Sequence, residues 1–358
     1  MMLSSTLRPC CRAIVLSCLL AATLPVLAHA QSVSDFPATI NTGTMEPPSG
    51  ITMANYPRVD GSTSTMFLGR LMAARILDVP AEICRVDMSQ RPADPDEENL
   101  YMGVTNSLPA RLVFPLHFPI SRVREFMSFI EEKGVHNGTG QAYTNLIEGE
   151  ADLILVAREP SADEVKAARD EGVELDLRPV ALDAFVFVVN ADNPVDSLSL
   201  EQVRGIFGGT IKNWKEVGGD DEPILPLTRD QNSGSEELMK SLVMKEREIV
   251  HSTERPRIKT MGQLVRDVAR IPNAIGYTVY FYEQAIYPNP RKKVIAIDNV
   301  PPLPLTVATG RYPLVAPVYA VTRKDLKEGT PTAKLRDWLL THQGQQAVAA
   351  SGLIQMNR

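Results

Sequence analysis

Residues 183–194 read DAFVFVVNADNP, the densest β-branched and aromatic run in the chain, closed by Asn, Asp and Pro. Its apolar positions are nearly continuous, which suits a strand covered on both faces. The next segment, SLEQVRGIFGG (199–209), has helical spacing and stops at paired glycines. The same alternation runs outward in both directions. ADLILVA (151–157) is a short strand-type run followed by the capped helix SADEVKAARDEG (161–172). TMGQLVRDVARIPNAIGYTVY (260–280) is a helix, a Pro-Asn turn and a strand. VYAVTRKD (318–325) is a strand, and 330–352 supplies the closing helices. Earlier, FLGRLMAARIL (67–77) and SRVREFMSFIEEKG (121–134) are amphipathic helices. Alternating strands and helices predict an α/β protein with largely parallel sheets.

The first thirty residues carry Arg8 and Arg12 without an acid, an apolar run from Ala13 to Ala28, and then AHA. That pattern predicts a secretory signal peptide over 1–30, cleaved after Ala30, and hence a periplasmic protein. A lipoprotein reading at Cys18 would leave an apolar run shorter than such signals use. No later run approaches a membrane span. Cys10, Cys11 and Cys18 would leave with the leader, so Cys84 stands alone, with no disulfide and no cysteine metal cluster; it is expected as a buried small hydrophobe. The formal net charge of −6 becomes more negative without the leader. An acidic protein is a poor partner for nucleic acid or anionic lipid, so any anion must be held by local geometry. Residues 31–44 read as a flexible arm, and the Pro- and charge-rich stretch 84–118 as a long excursion.

Three hydroxyl and glycine clusters each meet a predicted helix start: DGSTST (60–65), NGTG (137–140) and TRDQNSGSEE (228–237). Helix starts bind anions through unpaired N–H groups, and hydroxyls add donors. A single cluster alone reads better as ordinary N-capping, and only the three together with an arginine point to an anion. Arg229, placed four residues before Ser233-Gly234-Ser235, adds a planar charged fork suited to a tetrahedral oxyanion; the plainer reading pairs it with Asp230 on the surface. Other chemistries fit poorly. The dinucleotide fingerprint after Gly138 is incomplete, and no Walker lysine follows a glycine loop. His117, His136, His251 and His342 lack metal-ligand spacing, and NSGSE is no nucleophile elbow. Neither a metal, a cofactor nor a catalytic nucleophile and base is expected.

With these residues in view, the chain resembles a known family. VDGSTST (59–65), NGTGQAYTNLIEGEADLILVAREPS (137–161), FVFVVNADNPVDSLSLEQVRGIFGGTIKNWKEVGG (185–219), RDQNSGS (229–235), NAIGYTVYFYEQ (273–284), YPLVAPVYAV (312–321) and GQQAVAASGLI (344–354) carry the likeness. It is to the phosphate-binding subunits of ABC importers, the PstS-like periplasmic binding proteins. The resemblance implies two α/β lobes, each a mainly parallel sheet flanked by helices, joined by crossing strands with the ligand clamped between. Strand runs place lobe one at 45–188 and 313–358 and lobe two at 189–312. The implied phosphate contacts are Ser64 and Thr65, then Thr139 and Gly140, then Arg229, Ser233, Gly234 and Ser235. Where phosphate-binding relatives have an Asp that accepts the phosphate proton, this chain has Ala-Arg-Glu; Glu159 would take that role, or Arg158 replace it. The Asp that pairs with the arginine two residues on is Gln231 here. The expected function is phosphate capture for an inner-membrane ABC permease by a monomer with no catalytic step. The alternatives are another oxyanion or a phosphorylated metabolite as ligand, or a sensor or adhesion subunit built on the same fold.

Overall fold

A computed structural model of the chain describes residues 48–85, 110–114, 118–231, 233–251 and 257–356. The expected leader and arm, the middle of the 84–118 excursion and His117 lie outside the described residues. The described residues all belong to one unit. β1 (Val59–Gly61) leads through a 3-10 turn (Thr63–Thr65) into α1 (Met66–Ile76). The ends of the excursion form an antiparallel hairpin of β2 (Glu82–Arg85) and β3 (Ala110–Val113), with Cys84 opposite Arg111; the expected burial of the Cys84 side chain lies outside what is described. α2 (Ile120–Lys133), α3 (Thr139–Glu148), β4 (Leu153–Val156) and α4 (Ala162–Asp170) follow. The long β5 (Leu175–Asn190) leaves this half for the second.

The second half contains β6 (Ser197–Leu198), α5 (Leu200–Phe207), β7 (Leu225–Pro226), α6 (Gly234–Leu238), α7 (Met261–Arg270) and β8 (Ala274–Val279). β9 (Lys292–Val294), β10 (Ala296–Ile297) and α8 (Pro304–Ala308) complete it. β11 (Val315–Arg323) returns to the first half, and α9 (Pro331–Trp338) and α10 (His342–Ser351) close the chain. The helix whose start the 228–237 cluster predicts is a short α6 that widens into a π-type turn over Met239–Met244.

One sheet joins the halves in the order β1-β4-β11-β5-β8-β7, with β9 also on β5. The expectation of mainly parallel sheets needs correction. Parallel pairs are β1 with β4, β6 with β10 and β7 with β8, whereas β11 and β5 pair antiparallel with their partners. The two crossing strands run against their neighbours, which makes a mixed sheet of an otherwise βα-alternating chain. Within β5, residues 175–184 pair with β11, and 185–190 pair with β8 and β9. The opening run is therefore where the chain passes between halves, and residues 183–190 are all buried, as their composition predicts.

The first half of β5 gives a weaker sequence signal because Pro179 sits in it. Pro179 faces Tyr319 and Ala181 faces Val318, so Val180 is the extra residue of a bulge, where a proline is tolerated. The Gln345 amide donates to the Val180 carbonyl at 2.7 Å, satisfying the group the bulge frees.

Asp183, two per cent exposed, sits at the changeover point of β5. Its Oδ1 accepts from Ala184 N at 2.8 Å and Phe281 N at 3.0 Å, while Oδ2 is buried without a partner. Burial pushes this carboxyl up to about 7, against the pull of the two N–H donors. Between about pH 4 and pH 7 the unfolded chain has lost this proton and the folded one keeps it, so stability from this group falls as pH rises. Asp183→Asn removes that loss. The melting temperature of the variant, relative to the parent, is expected to climb from about pH 4.5 to about pH 7.5; a constant difference in thermal melts would mean that Asp183 ionises normally in the fold.

Candidate functional site

Three helix starts converge on a cleft of about 530 Å3 lined from both halves. On the second half, Ser233 caps α6 by accepting from Glu236 N at 3.3 Å, so ordinary capping explains that hydroxyl in part. The other two clusters do not cap with side chains: neither the 3-10 turn at Thr63 nor α3 has a side-chain cap bond. Their hydroxyls are left for other work.

Arg229 lies beside α6, six per cent exposed, rather than on the surface paired with Asp230. Its backbone N–H donates to Tyr277 Oη at 3.0 Å and Glu236 Oε2 at 3.3 Å, and Nη2 donates to the Lys259 carbonyl at 3.0 Å. Nε and Nη1 are buried without a partner, and so is Ser235 Oγ. Burial lowers the guanidinium's proton affinity, offset by Tyr277, Tyr282, Asp230 and Glu236 around it. An arginine stays charged through such a shift, so the fork is a cation holding unused donors.

The opposite wall is set by Asp60, two per cent exposed. Its Oδ1 accepts from Gly61 N at 2.7 Å and Asn137 N at 2.9 Å, and its Oδ2 from Asn137 Nδ2 at 3.0 Å and Asn145 Nδ2 at 2.6 Å. That carboxylate ties the 60–65 loop to the 137–140 loop. Gly138 has φ +92°, which a side chain would resist, and its N–H donates to Gly61 O at 3.1 Å. Ser62 Oγ sits 2.9 Å from Ser64 Oγ. Thr65 turns away from the cleft: its hydroxyl donates to Leu155 O at 2.7 Å and Ser62 O at 3.0 Å.

The walls touch. A methyl built on Gly234 would lie 2.7 Å from Thr139 Oγ1. Ser64, Thr139, Gly140, Arg158, Arg229, Ser233, Gly234 and Ser235 all line the cleft, whereas Thr65 and Glu159 do not. Glu159, expected at the ligand, is exposed, and its Oε1 accepts from Tyr319 Oη at 3.1 Å. Arg158 faces the cleft from beneath. Its Nη1 and Nη2 bind Glu164 at 2.7 and 2.8 Å, and its ring neighbour is Tyr143, 5.4 Å from the guanidinium. Glu164 also closes the capping box of α4, so the bend after β4 directs Arg158 inward and leaves Glu159 outside. Arg158 Nε is buried and unpartnered.

Several lining residues escaped sequence reasoning. Thr260 and Lys259 had a signal, since Thr260 is the N-cap of α7 and accepts from Gln263 N at 3.2 Å. His136 and Tyr282 had none, because only the tertiary fold brings them to the cleft. Burial and Arg70 hold His136 down to about 4, so it is neutral at physiological pH.

Half-sheets joined by two crossing strands, with a donor-rich cleft between them, define the class: a two-lobed α/β solute-binding protein. The chain belongs to the PBP superfamily, whose domain model matches residues 131–340. The phosphate-binding protein PstS of Bacillus subtilis is 27% identical over 215 residues, covering 59% of this chain and 66% of that protein. The chain thus spans about two thirds of the length of this relative. In three dimensions it is similar to a Clostridium perfringens ABC-transporter substrate-binding protein solved with bound phosphate, with TM-score 0.57 and 22% identity over 85% of this chain and 100% of the other. An ABC-type phosphate transport receptor from Vibrio cholerae follows, with TM-score 0.53 and 20% identity over 85% of this chain and 99% of the other. At these identities the structures establish the shared fold.

Proposed function

We propose that the protein captures inorganic phosphate in this cleft and delivers it to an inner-membrane ABC permease, as a monomer exported to the periplasm with cleavage after Ala30. The observation that carries the reading is Arg229: a buried cation with two donor nitrogens unpartnered, beside the unused Ser235 hydroxyl, facing hydroxyls of the opposite wall. Leaving such donors unmatched is costly, and a tetrahedral anion matches them. Ser64, Thr139, Gly140, Ser233 and Gly234 complete the cradle, and Arg158 supplies further positive charge from below. Lobe one then takes residues 45–188 and 313–358 and lobe two 189–312, with closure by hinge motion at the crossing strands. Names of relatives such as the Bacillus subtilis PstS support the choice of phosphate. Binding and release need no covalent step, so the protein acts as a carrier rather than an enzyme.

Phosphate at 100 times its dissociation constant is expected to stabilise the ligand-stripped protein by about 2.7 kcal/mol, read as a rise in melting temperature. A melting curve unmoved by millimolar phosphate, but shifted by another anion, rejects phosphate as the ligand. The cavity of about 530 Å3 has more room than one tetrahedral anion fills, and Leu238, Met261 and Val279 line it, which favours a phosphate monoester as the second reading. A monoester that displaces phosphate at equal concentration selects it.

A further inference from the structure

We propose that the cleft chooses its anion by charge and tetrahedral shape, without reading the anion's proton, so that sulfate enters it about as readily as phosphate. This rests on the phosphate reading above and concerns what else the same site accepts. Near neutral pH phosphate keeps a proton and sulfate has none. A carboxylate facing the ligand would accept from the first and repel the second, whereas hydroxyls and amides accept or donate as needed and treat both alike.

Among the described residues, the carboxylates near the cleft are bonded to other groups or stand outside its lining. Asp60 accepts four N–H donors from Gly61, Asn137 and Asn145. Glu164 holds both terminal nitrogens of Arg158 and the N–H of Ser161. Glu236, one per cent exposed, takes the Tyr277 hydroxyl and the Arg229 N–H. Glu159 is exposed and receives the Tyr319 hydroxyl, and Asp230, next to Arg229, is not part of the lining. Among the described residues the cleft is lined by hydroxyls, amides and the cations Arg158, Arg229 and Lys259, with no carboxylate.

Among the described residues, the ionisable groups facing the cleft are those three cations, His136 and Tyr282. Burial and Arg70 hold His136 down to about 4, and burial chiefly holds Tyr282 up to about 12. Neither changes charge between about pH 6 and pH 8. Behind the wall, His251 lies 3.9 Å from Glu236 and is held below its usual range by burial and Arg257. Pairing with cations therefore favours the doubly charged phosphate, whose share grows across that pH interval. Sulfate stays a dianion throughout and serves as the control: titration of the protein, including Asp183 in the crossing strand, would move both anions together.

The test is isothermal titration of refolded, ligand-stripped protein with sodium phosphate and sodium sulfate. At about pH 8 the two dissociation constants are expected to agree within about tenfold, and phosphate alone should weaken, by up to about tenfold, on going to about pH 6. Sulfate binding more than about tenfold weaker than phosphate at pH 8 overturns the inference and leaves the phosphate reading intact. Phosphate affinity that holds steady down to pH 6 overturns it as well. If neither anion binds, the phosphate reading falls and takes this inference with it.

Discussion

Arg229→Ala is expected to weaken phosphate binding by at least about thirtyfold while leaving the ligand-free melting temperature within a few degrees of the parent. The two halves of that result come from one feature. In the ligand-free protein the guanidinium is buried with Nε and Nη1 unmatched, so it burdens the fold with an unsatisfied charge. Truncation relieves that burden, and the relief offsets the packing lost with the side-chain stem. With an anion bound, the same donors make charge-assisted bonds in a water-poor cleft, and removing them costs on the order of 2–5 kcal/mol. Arg229→Lys keeps the charge without the fork, so an intermediate loss is expected. Arg291 is the control: it is exposed, and its recorded bonds are through its backbone. Calorimetry on both alanine variants decides. Equal, small losses would make Arg229 a structural residue; a collapse of Arg229→Ala on its own, without ligand, would make it a core residue.

What the sequence revealed of this molecule follows from which physical signals are local. The buried run at 183–190 and the capping boxes at Ser161 and Ser199 are local, and each stands where its pattern predicts. The three helix starts were legible for the same reason: hydroxyls and glycines mark them in a few consecutive residues. Strand direction is not local. The antiparallel pairing of β5 and β11 arises from chain return over more than a hundred residues, which no run of side chains encodes. Site detail failed where two neighbours could face opposite ways. Arg158 and Glu159 are adjacent and equally polar, and only the Glu164 bond and the Tyr319 hydroxyl, both from other elements, decide which one points inward. Thr65 misled because a hydroxyl in a promising cluster can be consumed by a carbonyl brought from β4.

Gly234→Ala is expected to weaken phosphate binding by at least about tenfold while leaving ligand-free stability unchanged or slightly raised. The opposite signs distinguish a closure defect from a folding defect. Gly234 is the first residue of α6 and its φ is not positive, so alanine suits its backbone and gains helix propensity. The added methyl has no room across the cleft, landing 2.7 Å from Thr139 Oγ1, although Thr139 Cβ lies 3.6 Å away at ordinary contact. Thr139 is buried on a short side chain and cannot swing far without leaving its place at the start of α3. The methyl therefore holds the walls apart wherever they meet as they do here, while an opened cleft escapes the clash, and holding the walls together is the step the ligand must complete. Thr139→Ala tests this directly, because it removes the clashing oxygen. Thr139→Ala alone should lose a donor and some affinity, but adding Gly234→Ala to it should cost no more than about threefold, a coupling of about 0.7 kcal/mol or more across the cleft. Strictly additive losses in this cycle would show that the two walls do not meet around the bound anion.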